Sequence, residues 1–168
     1  ATLFQRSFPN LDVAPLGASA AQRVVVLAGR ALFAAIFLSS GPQHFSRGTI
    51  DYAAAQGVPL AGVLVPFSGL LALIGGLSVL LGYRARLGAW LLVAFLVPVT
   101  LAMHNFWAIA DPAMARMQQV MFMKNLSMLG GALLLTQFGS GPCSLDRLRP
   151  APPRPEAPRP SPMHDTRW

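Results

Sequence analysis

Apolar residues are strung along the chain in four long runs separated by short polar breaks. The first covers residues 22–44 and contains VVVLAGRALFAAIFLSS. The second, 59–82, reads PLAGVLVPFSGLLALIGGLSVLLG, and the third, 86–106, reads RLGAWLLVAFLVPVTLAMHNF. The fourth, 115–138, reads ARMQQVMFMKNLSMLGGALLLTQF. An α-helix needs about 20 residues to cross about 30 Å of hydrocarbon, and every run meets that length. Alternating segments of about ten residues, the mark of a membrane β-barrel, do not occur. Backbone amides without water must pair within their own segment, so helices follow. The pattern predicts an all-α fold, an integral membrane four-helix bundle. Tyr83–Arg84–Ala85 alone joins the second and third runs and forces antiparallel neighbours. The first loop, Phe45–Val58, is longer; the third, Trp107–Met114, holds Asp111–Pro112, a helix-start signal. Pro66 and Pro98 fall inside predicted helices and should kink them.

Composition narrows the class. Of 168 residues, 54% are hydrophobic and 11% charged, against about 25% charged in an average soluble domain. So few charges poorly cover a soluble core, and so many apolar residues exclude disorder of the whole chain. The single cysteine, Cys143, excludes a disulfide scaffold. The net charge is +7, yet the basic residues sit at run ends and in a tail, so they read as membrane topology and no nucleic acid is expected. Arg6, Arg23, Arg84, Arg86, Arg147, Arg149, Arg154, Arg159 and Arg167 fall on one side, Arg47 and Arg116 on the other. That asymmetry predicts both termini in the cytoplasm. Residues 1–21 form a cytoplasmic N-terminal segment without a signal-peptide arrangement, which makes the first span an uncleaved anchor. Residues 139–168 hold eight of the fifteen prolines and five arginines and read as an extended cytoplasmic tail. Its Arg154, Arg159 and Trp168 are candidate contacts for other subunits of a membrane complex. Small-residue stripes supply further seams: Ala31/Ala35/Ser39, Ser68/Ala72/Gly76 and Ser127/Gly131.

Polar residues within the runs carry the candidate chemistry. Lys124 lies nine residues after Ala115, about 13 Å along the helix axis and near mid-membrane. A lysine there costs at least about 2.5 kcal/mol, so it is expected to face the bundle interior. Met117, Met121, Lys124 and Met128 share one face, flanked by Gln118 and Asn125. The six carboxylates, Asp12, Asp51, Asp111, Asp146, Glu156 and Asp165, all lie outside the runs. Three resolutions stay open: a neutral amine, donation to carbonyls and hydroxyls, or an acceptor from outside the chain. His104–Asn105–Phe106–Trp107 closes the third run, and His44 closes the first after Gly41–Pro42. Two histidines make an incomplete ligand set, so no metal site is assigned. Arg30 is placed to snorkel to the cytoplasmic face. Six of seven methionines lie between Met103 and Met128 and read as flexible packing rather than a copper relay. Phosphate loops, catalytic triads and metalloprotease motifs are not found.

Five stretches carry a family resemblance: RALFAAIFLSSGPQHF, GLLALIGGLSVLLGYRARLGAW, HNFW, QQVMFMKNLSMLGGALLL and the closing GSGPCSLD. Over about residues 26–147 the chain resembles the DoxX family of small bacterial four-helix membrane proteins. That resemblance implies a multi-pass protein of the bacterial inner membrane, embedded in lipid, with both ends cytoplasmic. It implies an accessory subunit of an oxidoreductase complex, non-catalytic alone, lining a quinone site and holding no covalent cofactor. By motif the family's polar positions fall on His104, Asn105, Lys124 and Asn125; with Met121 these are the candidate quinone ligands. The chain departs from the family in carrying Ala72 where many members have glutamate, and His44 where members often have lysine. The alternative is a stand-alone scaffold, or a carrier of a small solute or lipid.

Overall fold

The computed structural model describes residues 18–148. Five α-helices follow one another: α1 Ala20–Ser40, α2 Arg47–Ala55, α3 Ala61–Leu81, α4 Ala85–Met103 and α5 Pro112–Phe138. Single-turn 3-10 segments at Gly41–Phe45, Phe106–Ala108 and Leu145–Leu148 complete the path. Three segments are long and apolar enough to cross a membrane, Ala20–Phe45, Ala61–Leu81 and Ala85–Ala108. The protein is therefore an all-α membrane protein. The fourth long helix, α5, has 27 residues, about 40 Å at 1.5 Å per residue, but its polar positions dilute its apolar character.

Local chemistry sets the helix ends. Ser19 Oγ accepts from the Gln22 amide at 3.2 Å while Gln22 Oε1 accepts from the Ser19 amide at 2.8 Å, a capping box that starts α1. Pro42, with no amide hydrogen, tightens the end of α1 into a 3-10 turn. The long first loop is not all loop. Ser46 caps the short α2, whose Ala53 packs on Ala61 and Val65 of α3. Gly82, at φ +65°, ends α3: its amide donates to Val79 O and the Tyr83 amide to Ser78 O, the paired bonds of a Schellman stop. Asp111 Oδ1 accepts from the Met114 amide at 2.7 Å ahead of Pro112, so α5 starts where its sequence signal lies.

Helix α3 is the centre of the packing. It lies against α4 and α1, and α5 lies against the far side of α4. Helices α1 and α5 touch one another only sparsely. Phe37, Ala72, Val79, Leu92, Phe95, Leu96 and Ala132 form the core. The α3–α4 contact is backbone-close: a Cβ on Gly75 would stand 2.9 Å from Gly88 O and 2.8 Å from the Leu92 side chain. The small-residue stripes do not all fall at seams. Ala72 and Gly76 are buried, and Gly131 meets the Phe33 ring, but Ala31, Ala35 and Ser39 face outward. Four-residue spacing defines a stripe without saying which face turns inward. On α1 the inward face is Arg30, Ala34, Phe37 and Gly41. The tail expected over residues 139–168 is folded against the helices over 139–148, and its remainder, with Arg154, Arg159 and Trp168, lies outside the described residues.

Candidate functional site

The helix termini near Arg30 show how the protein closes on itself. Arg30 is buried, 5% exposed, and does not reach for the surface as snorkelling would require. Its Nε donates to Val79 O at 2.9 Å, Nη2 to Leu80 O, and Nη1 to Cys143 O at 3.1 Å. The first two acceptors belong to the last turn of α3, where unpaired carbonyls concentrate negative partial charge that a cation stabilises. The third ties down the segment after α5. From that segment Asp146 accepts the amides of Arg84 at 2.8 Å and Ala85 at 3.4 Å, and its own amide donates to Gly82 O at 3.0 Å. Its carboxylate thus caps the N-terminus of α4. GSGPCSLD is a clasp over the α3–α4 turn, a role that the position of Arg30 alone did not reveal.

At the opposite end, α1, α4 and α5 surround a cleft of about 200 Å³. Ile36, Phe37, Ser40 and His44 come from α1 and the turn that follows it; Phe95, Leu96, Val99 and His104 from α4 and its end; Lys124, Asn125 and Met128 from α5. The inward face of α5 is Asn125, Ala132 and Thr136, spaced seven and four residues apart. Successive helical residues turn by about 100°, so Lys124 stands at the edge of that face. It is exposed at the rim of the cleft rather than buried in the interior, and it makes no ion pair among the described residues. Asn125 is the buried one, 5% exposed, and its side-chain amide makes no hydrogen bond among the described residues. Buried side-chain amides are nearly always satisfied.

Both histidines are oriented by the protein. His104 Nδ1 meets Gln118 Oε1 at 2.7 Å, and His44 Nδ1 meets Ser40 O at 3.2 Å. Each oxygen accepts, so each Nδ1 carries the hydrogen, and Nε2 is left with its lone pair in the neutral ring. The His44 ring also stands edge-on to Phe95, with centroids 5.5 Å apart. The cleft therefore combines N–H donors, from Lys124 and Asn125, with imidazole acceptors on an apolar floor.

Of the residues singled out from sequence, Lys124, Asn125 and His104 line the cleft, whereas Asn105 and Met121 do not. Asn105 opens the 3-10 turn Phe106–Ala108. Phe106 and Trp107 of that turn stand edge-on to Phe122, at 5.6 and 5.9 Å, and pin the α4–α5 connection. Gln118 was placed on a flank with no task; its spacing from His104 across the α4–α5 turn gave no sign that the two would meet. Ser40 was likewise missed, although it lies four residues before His44, one helical turn. Among the described residues no three His, Cys, Asp or Glu side chains gather to hold a metal. His44 and Val99 form a wall shared with a second cavity of about 270 Å³, lined almost wholly by apolar groups of α2, α3 and α4, including Ala53, Leu71 and Pro98.

Comparison with known proteins places the chain. It is 35% identical over 127 residues to the inner membrane protein YqjF of Escherichia coli strain K12, covering 74% of this chain and 92% of the relative. It is 28% identical over 130 residues to the inner membrane protein YphA of the same strain, covering 76% and 92%. No solved structure matches the chain. With these relatives and its apolar helices, the protein is one of the bacterial inner membrane. The model of the SURF4 family matches residues 13–150 and includes every stretch that had suggested DoxX. The chain therefore belongs to the SURF4 family, not to DoxX.

Proposed function

We propose that the protein crosses the inner membrane four times, with both termini in the cytoplasm, and holds the ring of a quinone in the cleft between α1, α4 and α5. In this reading α5 spans with the others despite Lys124, because the ammonium stands beside a ligand oxygen instead of bare hydrocarbon. Lys124 and Asn125 donate to a quinone carbonyl, and a histidine Nε2 accepts from the hydroxyl of the reduced form. The apolar cavity behind His44 and Val99 offers space for part of the prenyl chain. The protein acts as an accessory, holding quinone for a partner oxidoreductase reached through its tail and outward helix faces, and is not catalytic alone.

The observation that carries the reading is Asn125, a buried residue whose amide, unpartnered among the described residues, keeps open surface on a cleft rimmed by an unpaired lysine. A hydrogen bond from that amide to a ligand oxygen contributes about 0.5–1.5 kcal/mol net. The test is quinone content after purification of the full chain in mild detergent, measured by extraction and chromatography. Wild type is expected to retain quinone; Lys124→Met and Asn125→Leu are expected to lose most of it while remaining folded. Equal retention by folded variants would reject the assignment.

A further inference from the structure

We propose that the other end of the helices carries a separate site, a pocket for the phosphodiester of an anionic phospholipid. The pocket, about 490 Å³, lies between the α3–α4 turn, the first turn of α4 and the segment after α5. Arg84 and Arg86 project from it, both exposed and neither in an ion pair with a carboxylate among the described residues. Arg84 only leans on the Tyr83 ring, with Cζ 5.8 Å from its centroid. Asp146 is the one carboxylate in the wall, and it is engaged by the amides of Arg84 and Ala85. The wall therefore presents two guanidiniums whose counter-charge is not supplied by their surroundings. Such forks suit the oxygens of a phosphate, which they bind in pairs.

Two further observations point to a ligand and to its kind. Ser144 lines the same pocket, is 5% exposed, and among the described residues its hydroxyl has no hydrogen-bond partner. Such orphan hydroxyls are rare. Phe138 and Leu87 also line the pocket, 77% and 57% exposed, and point apolar surface outward beside the arginines. A soluble phosphate gains nothing from them, whereas acyl chains descending from a headgroup pack against both. Arg23 lies at this same end, the start of α1 beside the end of α3, so the whole rim suits an anionic leaflet. The site shares no residue with the quinone cleft and stands or falls independently of it.

The test uses the full chain in detergent and native mass spectrometry after equilibration with phosphatidylglycerol or phosphatidylcholine. Wild type is expected to retain phosphatidylglycerol at least tenfold over phosphatidylcholine. Arg86→Gln, which removes an exposed side chain with no hydrogen bond of its own among the described residues, is expected to lose that preference; Arg86→Lys is expected to keep part of it, and Phe138→Ser to weaken it several-fold. Arg23→Gln, at the same end but outside the pocket, is expected to leave it unchanged. Equal losses in Arg86→Gln and Arg23→Gln would mean diffuse charge attraction and overturn the site. Displacement of the lipid by millimolar inorganic phosphate would overturn the lipid assignment, as would equal retention of phosphatidylcholine.

Discussion

Replacing Arg30 by methionine keeps most of the side-chain volume and removes the fork that joins α3 to the closing clasp. Three bonds to Val79 O, Leu80 O and Cys143 O are lost together. A hydrogen bond from a charged donor contributes roughly 1.5–3 kcal/mol. Simple addition would overstate the loss. The buried guanidinium costs desolvation in the folded state, and carbonyls near the helix ends regain some water when uncovered. The expected destabilisation is about 2–4 kcal/mol. The proper assay follows unfolding of the purified protein in a denaturant titration, with hydrogen exchange read at the amides of Arg84 and Asp146, which the clasp protects. A local loss of 2 kcal/mol accelerates exchange about 30-fold. Arg30→Lys keeps the charge but not the planar fork and is expected to fall between. A midpoint shift equivalent to less than about 0.5 kcal/mol with unchanged exchange at both amides would refute the view that Arg30 holds the two segments together.

The α3–α4 contact makes a sharper steric prediction. Gly75→Ala would press a methyl to 2.9 Å from Gly88 O and is expected to destabilise by about 1–3 kcal/mol, whereas Gly62→Ala on the same helix meets nothing within 4 Å and is expected to be neutral or slightly stabilising in the same titration. Asp146→Asn weakens the carboxylate cap on Arg84 and Ala85 and is expected to cost about 0.5–2 kcal/mol, with faster exchange confined to the α3–α4 turn. Gln118→Leu frees His104 Nδ1 and is expected to lower quinone retention less than Asn125→Leu does, since it alters a ring's orientation and not a donor in the cleft; an equal or larger loss would place Gln118 in direct contact with ligand.

What the sequence disclosed follows from which forces act locally. The apolar runs that cross the membrane, the stop at Gly82 and the start at Asp111–Pro112 are readable because they depend on hydropathy and on neighbours within a few residues. The short helix Arg47–Ala55 was hidden in a loop, since nine residues of mixed polarity give little periodicity, although Ser46 offered a cap. Lys124 was expected to turn inward because its cost in lipid is high. Rotation by one residue decided otherwise, and the inward place went to Asn125, whose neighbours Ala132 and Thr136 share its face. Arg30 and Asp146 could not be joined from sequence, because the bonds that use them span 113 residues, from residue 30 to residue 143, and 62 residues, from residue 84 to residue 146.

The glycine-tight pairing of α3 with α4 makes a stiff spine, and α1 and α5 lean on it from either side while barely meeting one another. Between those two outer helices the Phe33 ring meets Gly131, and the cleft at His104 and Asn125 lies to one side of that contact. In the reading proposed above, a quinone dissolved in the bilayer enters that cleft by sideways diffusion in two dimensions. On that route it crosses no water.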